Sequence, residues 1–183
     1  MNLTPNVNFE KDEVIFKEGK PAFSVFLICD GSVKVYKERG EENLLLSTLG
    51  KGSIFGEMAF ISKDVRCATV ISNADTWCYA MIKEDFIKKL EAIDPLILKI
   101  FHDLADVIRE KNESGLIIDH GKVHSICAQG KLSTFSAKES LNKYAKDYSF
   151  NYLTSDPHIR TKVDDLDFFM RKLYNSMVSI ACA

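Results

Sequence analysis

Between Gly50 and Val70 the chain runs Gly50-Lys51-Gly52-Ser53-Ile54-Phe55-Gly56-Glu57-Met58-Ala59-Phe60-Ile61, then Ser62 to Val65, then Arg66-Cys67-Ala68-Thr69-Val70. A glycine turn leads into a tight Phe-Gly-Glu corner, about one turn of helix follows, and an arginine stands just ahead of a β-branched strand. The first N–H groups of a helix lack intrahelical acceptors, and an arginine beside them adds a bidentate cationic fork. Together they predict an anion site, for which phosphate is the natural occupant. Glu57 in the same corner repels bare phosphate but accepts hydrogen bonds from hydroxyls. The pair therefore suits a phosphorylated sugar better than inorganic phosphate.

Other chemistry-bearing residues point nowhere comparable. His120, His124 and Cys127 are of metal-ligating types, but Gly121 discourages the helix that would align the two histidines, so no metal is expected. All four histidines, His102, His120, His124 and His158, follow the β-rich region, whereas a metal enzyme built on a β barrel needs them on its strands. No serine elbow, Cys/His arrangement or P-loop is present, and enzyme activity is not expected.

A corner and a strand start must be brought together by a frame. Up to about Met81, β-rich runs recur at Glu13 to Phe16, Ser24 to Cys29, Ser32 to Lys37, Asn43 to Thr48, Ser53 to Phe55, Cys67 to Ile71 and Thr76 to Met81. Turn residues such as Gly19-Lys20-Pro21, Asp30-Gly31, Arg39-Gly40 and Asn73-Ala74-Asp75 separate them. Regular spacing of this kind predicts a sandwich or barrel, and the alternation of Val33 and Val35 with Ser32 and Lys34 predicts a half-buried antiparallel sheet. After Met81 the apolar period lengthens to that of a helix. Lys83 to Ile93 carries Phe86, Ile87, Leu90 and Ile93 on one face. Asp94-Pro95 supplies a cap and a first-turn proline for a second helix reaching about Lys111, striped by Ile97, Ile100, Phe101, Leu104 and Ile108 and widened by Val107. The expected fold class is mainly β with C-terminal helices.

The glycines Gly115, Gly121 and Gly130 mark residues 112–131 as a linker between a domain over 1–111 and an extension over 132–183. In the extension, Ser136-Ala137-Lys138-Glu139 is a capping box ahead of one amphipathic helix. Thr161 is expected to cap another, bearing Val163, Leu166, Met170, Leu173, Tyr174 and Met177.

The 183 residues are 46% hydrophobic and 27% charged, which excludes collagen-like and disordered classes. A net charge of -2 gives no general field toward nucleic acid or an anionic membrane, so an anion site must be local. Cys29, Cys67, Cys78, Cys127 and Cys182 are odd in number and contain no CxxC pair, which suits free thiols in a reducing compartment. With no targeting or membrane-spanning segment visible, a cytoplasmic location is expected.

The stretch from Phe55 to Ile61 and from Arg66 to Val70 resembles the cyclic nucleotide-binding domain family, whose phosphate-binding cassette reads F-G-E-[LM]-[AG]-[LF]-[LI], a variable turn, and R-x-A-[ST]-[VA]. Val14 to Gly19 and Phe26 to Val35 are similar to the family's strand-turn pattern as well, and the resemblance covers about residues 8 to 111. It implies a β jelly roll in which the cassette helix and Arg66 hold the cyclic phosphate of cAMP or cGMP, with no separate cofactor. It also implies Glu57 on the ribose 2′-hydroxyl, backbone N–H groups of Gly56 and Ala59 on the phosphate, and Cys67 beside phosphate and base. Phe55, Met58 and Ala68 complete that ligand-binding set, and Val107, Ile108 and Lys111 are the expected base lid. Two departures stand out. Val65 replaces the proline usual before the arginine, and Cys67 stands where cGMP-selective members carry threonine, which leans the expectation toward cAMP or little discrimination.

The sequence thus reads as a cyclic nucleotide receptor module that passes ligand binding on through the helices after the roll. The alternatives are a ligand-free interaction scaffold of the same fold, or a transcription regulator with a divergent DNA-binding tail. The tail has only a small basic excess, its Asp164-Asp165-Leu166-Asp167 run suits phosphates badly, and no glycine follows Gly130 to make a tight inter-helix turn. DNA and membrane are therefore not expected partners. A homodimer through the 94–111 helix and an unidentified protein partner for the tail are.

Overall fold

The structure, a computed structural model, describes residues 3–40, 42–61, 65–114 and 157–182. The first part of the chain forms β1 (Val7–Phe9), β2 (Val14–Phe16), β3 (Ser24–Asp30), β4 (Ser32–Arg39), β5 (Glu42–Gly50), β6 (Ile54–Phe55), β7 (Thr69–Ser72) and β8 (Thr76–Ile82). These pair into two four-stranded sheets in the orders β1-β8-β3-β6 and β2-β7-β4-β5, with every pairing antiparallel. A short helix α1 (Met58–Ile61) separates β6 from β7, and α2 (Lys83–Glu91) follows β8.

Period-two alternation turns Phe26, Ile28, Val33, Phe55, Val70 and Cys78 inward as one buried cluster fed by both sheets. Its aromatic part is a file of rings, with Phe55 stacked on Phe26 at 5.1 Å and Phe16 stacked on Phe26 at 6.2 Å. Burial in this cluster pushes the Cys78 thiol up to about 12. In β3 both faces are covered, because Val25 and Leu27 are buried as well as Phe26 and Ile28. The cause is α2, which packs on β3 and β8 and buries Phe86 and Leu90. β1 was absent from the expected strands; Val7-Asn8-Phe9 lacks a continuous apolar run, and its pairing with β8 through Val7 and Cys78 is tertiary.

The β3–β4 turn depends on Gly31, whose φ of +87° is a glycine conformation and where a Cβ would stand 2.4 Å from the Asp75 carbonyl oxygen. Beneath it, the fully buried Thr76 hydroxyl donates to the Ser32 carbonyl at 2.9 Å and accepts the Ser32 N–H at 3.1 Å. Two turns are thereby pinned by one hydroxyl.

From Ile93 onward the described residues belong to a second compact unit. It contains α3 (Pro95–Ser114), α4 (Pro157–Asp164) and α5 (Phe168–Cys182). Asp94 caps α3 as expected, its Oδ1 accepting the Leu96 N–H at 2.9 Å. The other carboxylate oxygen pairs with Lys162 of α4, and this contact holds the Asp94 pKa below the usual range. The α3 stripe of Ile97, Ile100, Phe101 and Leu104 is buried, and α3 packs on α5 with Phe101 meeting Tyr174 edge to face at 5.9 Å.

One expected cap is corrected. Thr161 lies inside α4, where its hydroxyl donates back to the Pro157 carbonyl at 2.8 Å, and the expected single helix is two. Asp167 is the real cap of α5, because its Oδ1 accepts the Met170 N–H at 3.0 Å and competes with helix continuation. The helix expected after Ser136, and most of the linker expected at 112–131, lie outside the described residues. Among the described residues, no helix is long and apolar enough to cross a membrane and no cluster of ligating side chains could hold a metal ion.

Candidate functional site

Phe55 closes β6 in the core, and the chain then turns sharply at Gly56, whose φ is +83°. A Cβ on Gly56 would stand 2.5 Å from Nη1 of Arg66, so the glycine both makes the corner and admits the guanidinium. The carbonyl of Glu57 accepts the N–H groups of Phe60 and Ile61 at 2.9 and 3.2 Å, which starts α1 and buries Ala59 and Ile61.

Arg66 arrives from the other side, and its main chain is clamped by the turn after β2. The Gly19 N–H donates to the Arg66 carbonyl at 2.8 Å, and the Arg66 N–H donates to the Lys20 carbonyl at 2.9 Å. The guanidinium is held as firmly. Nη1 donates to the Gly56 carbonyl and Nη2 to the Ser24 carbonyl, each at 2.8 Å, while the cation lies 3.9 Å above the centre of the Phe16 ring. The residue is 5% exposed, and Nε has no hydrogen-bond acceptor among the described residues.

Glu57 is buried in the same corner at 6% exposure. Burial pushes its carboxyl up to about 7, although its own backbone N–H and the Arg66 charge pull the other way. Burial likewise brings Arg66 down to about 10, opposed by Glu57. The corner thus encloses a cation and a carboxyl close to changing charge.

Beyond Arg66 the half-buried Cys67 and buried Ala68 lead into β7. The Cys67 carbonyl accepts from Lys37 Nζ at 3.3 Å, and the same ammonium meets Glu18 Oε1 at 2.5 Å. Glu18 in turn accepts the Glu38 N–H and donates its own N–H to the Thr69 hydroxyl. Of the expected residues, Phe55, Gly56, Glu57, Ala59 and Arg66 converge on one corner, with Met58 half-buried on α1. Ile108 is buried on α3 in the second unit, and the side chains of Val107 and Lys111 lie outside the described set. Sequence reasoning missed the supporting residues Phe16, Ser24 and the Lys37–Glu18 pair. Two of the missing contacts are to backbone carbonyls, which no side-chain pattern announces.

The sequence model of the cyclic nucleotide-binding domain family matches residues 6–92. Those residues hold both sheets, the corner and Arg66. Residues 6–92 belong to the cyclic nucleotide-binding domain family. Similar proteins include mouse cGMP-dependent protein kinase 2, 35% identical over 91 residues that make up 48% of this chain and 12% of the kinase. The cyclic AMP receptor protein of Thermus thermophilus is 28% identical over 114 residues, 57% of this chain and 51% of that protein. The solved structure of the EAL enzyme Bd1971 in its cAMP-bound form is 29% identical, with a TM-score of 0.56 over 67% of this chain and 33% of that one. Its cGMP-bound form is matched with a TM-score of 0.55 at 29% identity, over 67% of this chain and 32% of that one. This chain therefore spans between an eighth and about half of these relatives' own lengths, and its cyclic nucleotide-binding domain is the part shared with them.

Proposed function

We propose that the chain is a cyclic nucleotide sensor, with cAMP or cGMP bound in the corner between Gly56 and Arg66. The observation that carries this reading is the burial of both Arg66 and Glu57 at the positive-φ Gly56 corner, with Arg66 Nε left without an acceptor among the described residues. Arg66 supplies charge to the cyclic phosphate, Glu57 accepts from the ribose 2′-hydroxyl, and the Gly56 and Ala59 N–H groups complete the phosphate contacts. Phe55, Met58 and Ala68 line this pocket. Cys67 stands beside the base, and its weak S–H donor favours cAMP or little discrimination. Similarity to proteins named for cGMP and for cAMP supports the ligand class without choosing between them.

In this reading the nucleotide domain and its closing helices end near residue 111, 112–131 link them to the helical extension at 132–183, and Val107, Ile108 and Lys111 supply the base lid. Ligand binding shifts the population of arrangements of the helices after the roll, and the extension passes that shift to a protein partner. The module is cytoplasmic and non-catalytic. A homodimer through α3 would have to use surface other than the stripe that packs on α5.

Titration calorimetry of the full chain with cAMP and with cGMP tests the reading. Losing one partner of a desolvated charge contact costs about 3 to 5 kcal/mol, so Arg66→Ala is expected to weaken binding at least ~100-fold. An unchanged dissociation constant removes Arg66 from the site. The ligand-free scaffold is the second reading, favoured by one observation: two carbonyls and a ring already occupy the guanidinium. Absence of heat with both nucleotides selects it.

A further inference from the structure

The Phe16 ring is more than core filling. Its neighbours Phe26 and Phe55 are 6.2 and 6.0 Å away, but the Arg66 cation sits 3.9 Å from its centre. An arginine has five N–H donors in a rigid plane. Here one donor on each terminal nitrogen is spent on a carbonyl, Gly56 on one sheet's corner and Ser24 at the start of β3, and the flat face rests on Phe16. Three contacts define a plane, so the guanidinium cannot rotate without losing one of them. Of the three donors left over, one is on Nε, the guanidinium nitrogen that is buried and without any acceptor among the described residues. Buried donors are rarely left unmatched, and a group oriented this way is ready for an anionic oxygen that the protein itself does not supply.

We propose that Phe16 is a positioning residue for nucleotide binding: its ring face, with the Gly56 and Ser24 carbonyls, fixes the Arg66 fork so that Nε is presented to the cyclic phosphate. This rests on the proposed nucleotide site. The ring does not touch the ligand; it acts through Arg66. A purely structural Phe16 would tolerate another apolar side chain better than a phenol, because only the phenol carries a hydroxyl into a half-buried core position. A positioning Phe16 reverses that order, because leucine has no π face and tyrosine has one.

The experiment is calorimetric titration of cAMP into the full chain and its variants, with thermal unfolding of each measured alongside. Phe16→Leu is expected to bind cAMP about 3- to 30-fold more weakly, and Phe16→Tyr to bind within about twofold of the unmodified chain. If Phe16→Leu fails to fold, Phe16→Met offers an unbranched, more adaptable apolar side chain without the ring and should show the same loss. Affinities that stay constant in Leu and Met variants overturn the positioning role, as does a loss in Phe16→Tyr equal to that in Phe16→Leu. An unmodified chain that takes up neither cAMP nor cGMP overturns the nucleotide site itself, and the positioning role with it. Binding by the unmodified chain with an indifferent Phe16 overturns only the latter.

Discussion

Glu57 and Arg66 are buried in the same corner, and burial takes from each part of its ordinary tendency to be charged. For Glu57 the folded pKa of about 7 lies above the ordinary glutamate value of 4.5, so the folded state holds a proton that the unfolded chain releases. Stability from this group is complete below about pH 4.5, declines as the pH rises, and is lost once the pH passes about 7. The difference corresponds to about 3 kcal/mol across that window. Urea unfolding of the free protein at pH 5 and pH 8 should show a loss of that order, and Glu57→Gln, which cannot ionise, should flatten most of it. A slope that is the same in both proteins would place the titrating group elsewhere. The side-chain identities of this corner were legible in the sequence because Phe-Gly-Glu and Arg-x-Ala-Thr are side-chain patterns. Phe16 was not, since its role depends on a strand folding over from the opposite sheet.

The elements were legible where an apolar run stood beside turn residues. β3, β4, β5 and β8 each extend over seven or more residues, and the short β2 and β6 lie near Gly19 and Gly56. β1, Val7-Asn8-Phe9, has no such run and was missed. The break between α4 and α5 was missed for a different reason: Leu166 continues the apolar rhythm straight through it, and only Asp167 capping Met170 ends the first helix and begins the second. Turns are where single residues decide an element's path. Gly31 and Gly40 both have positive φ, but a Cβ at Gly31 meets a backbone oxygen at 2.4 Å, whereas nothing lies within 4 Å at Gly40. Alanine at Gly40 should therefore cost only the left-handed backbone penalty of about 1 to 2 kcal/mol. Alanine at Gly31 should cost a further ~1 to 3 kcal/mol, because a main-chain carbonyl cannot swing away as a side chain can. Chemical denaturation of the two variants checks the order, and equal losses would mean that the Asp75 turn yields.

At the scale of the whole molecule, the boundary at Ala92 and Ile93 separates a β unit that carries the Gly56–Arg66 corner from a helical unit with its own core. In that second unit Phe101 and Leu104 of α3 are buried together with Leu173, Tyr174 and Met177 of α5, and Asp94 ties the start of α3 to Lys162 of α4. Packed interiors shift between discrete arrangements rather than deforming continuously. In the proposed reading, any shift of α3 that the nucleotide favours is therefore expected to carry α4 and α5 along. Hydrogen exchange of the full chain with and without cAMP reads this directly. Slowed exchange is expected over Phe55 to Arg66 from ligand contact, and over α3, α4 and α5 together from a shift of the helical unit as one body. Protection in α3 alone would show that the α3–α5 packing opens on binding. Protection confined to the corner would leave a static pocket and remove the transmission of binding to the tail.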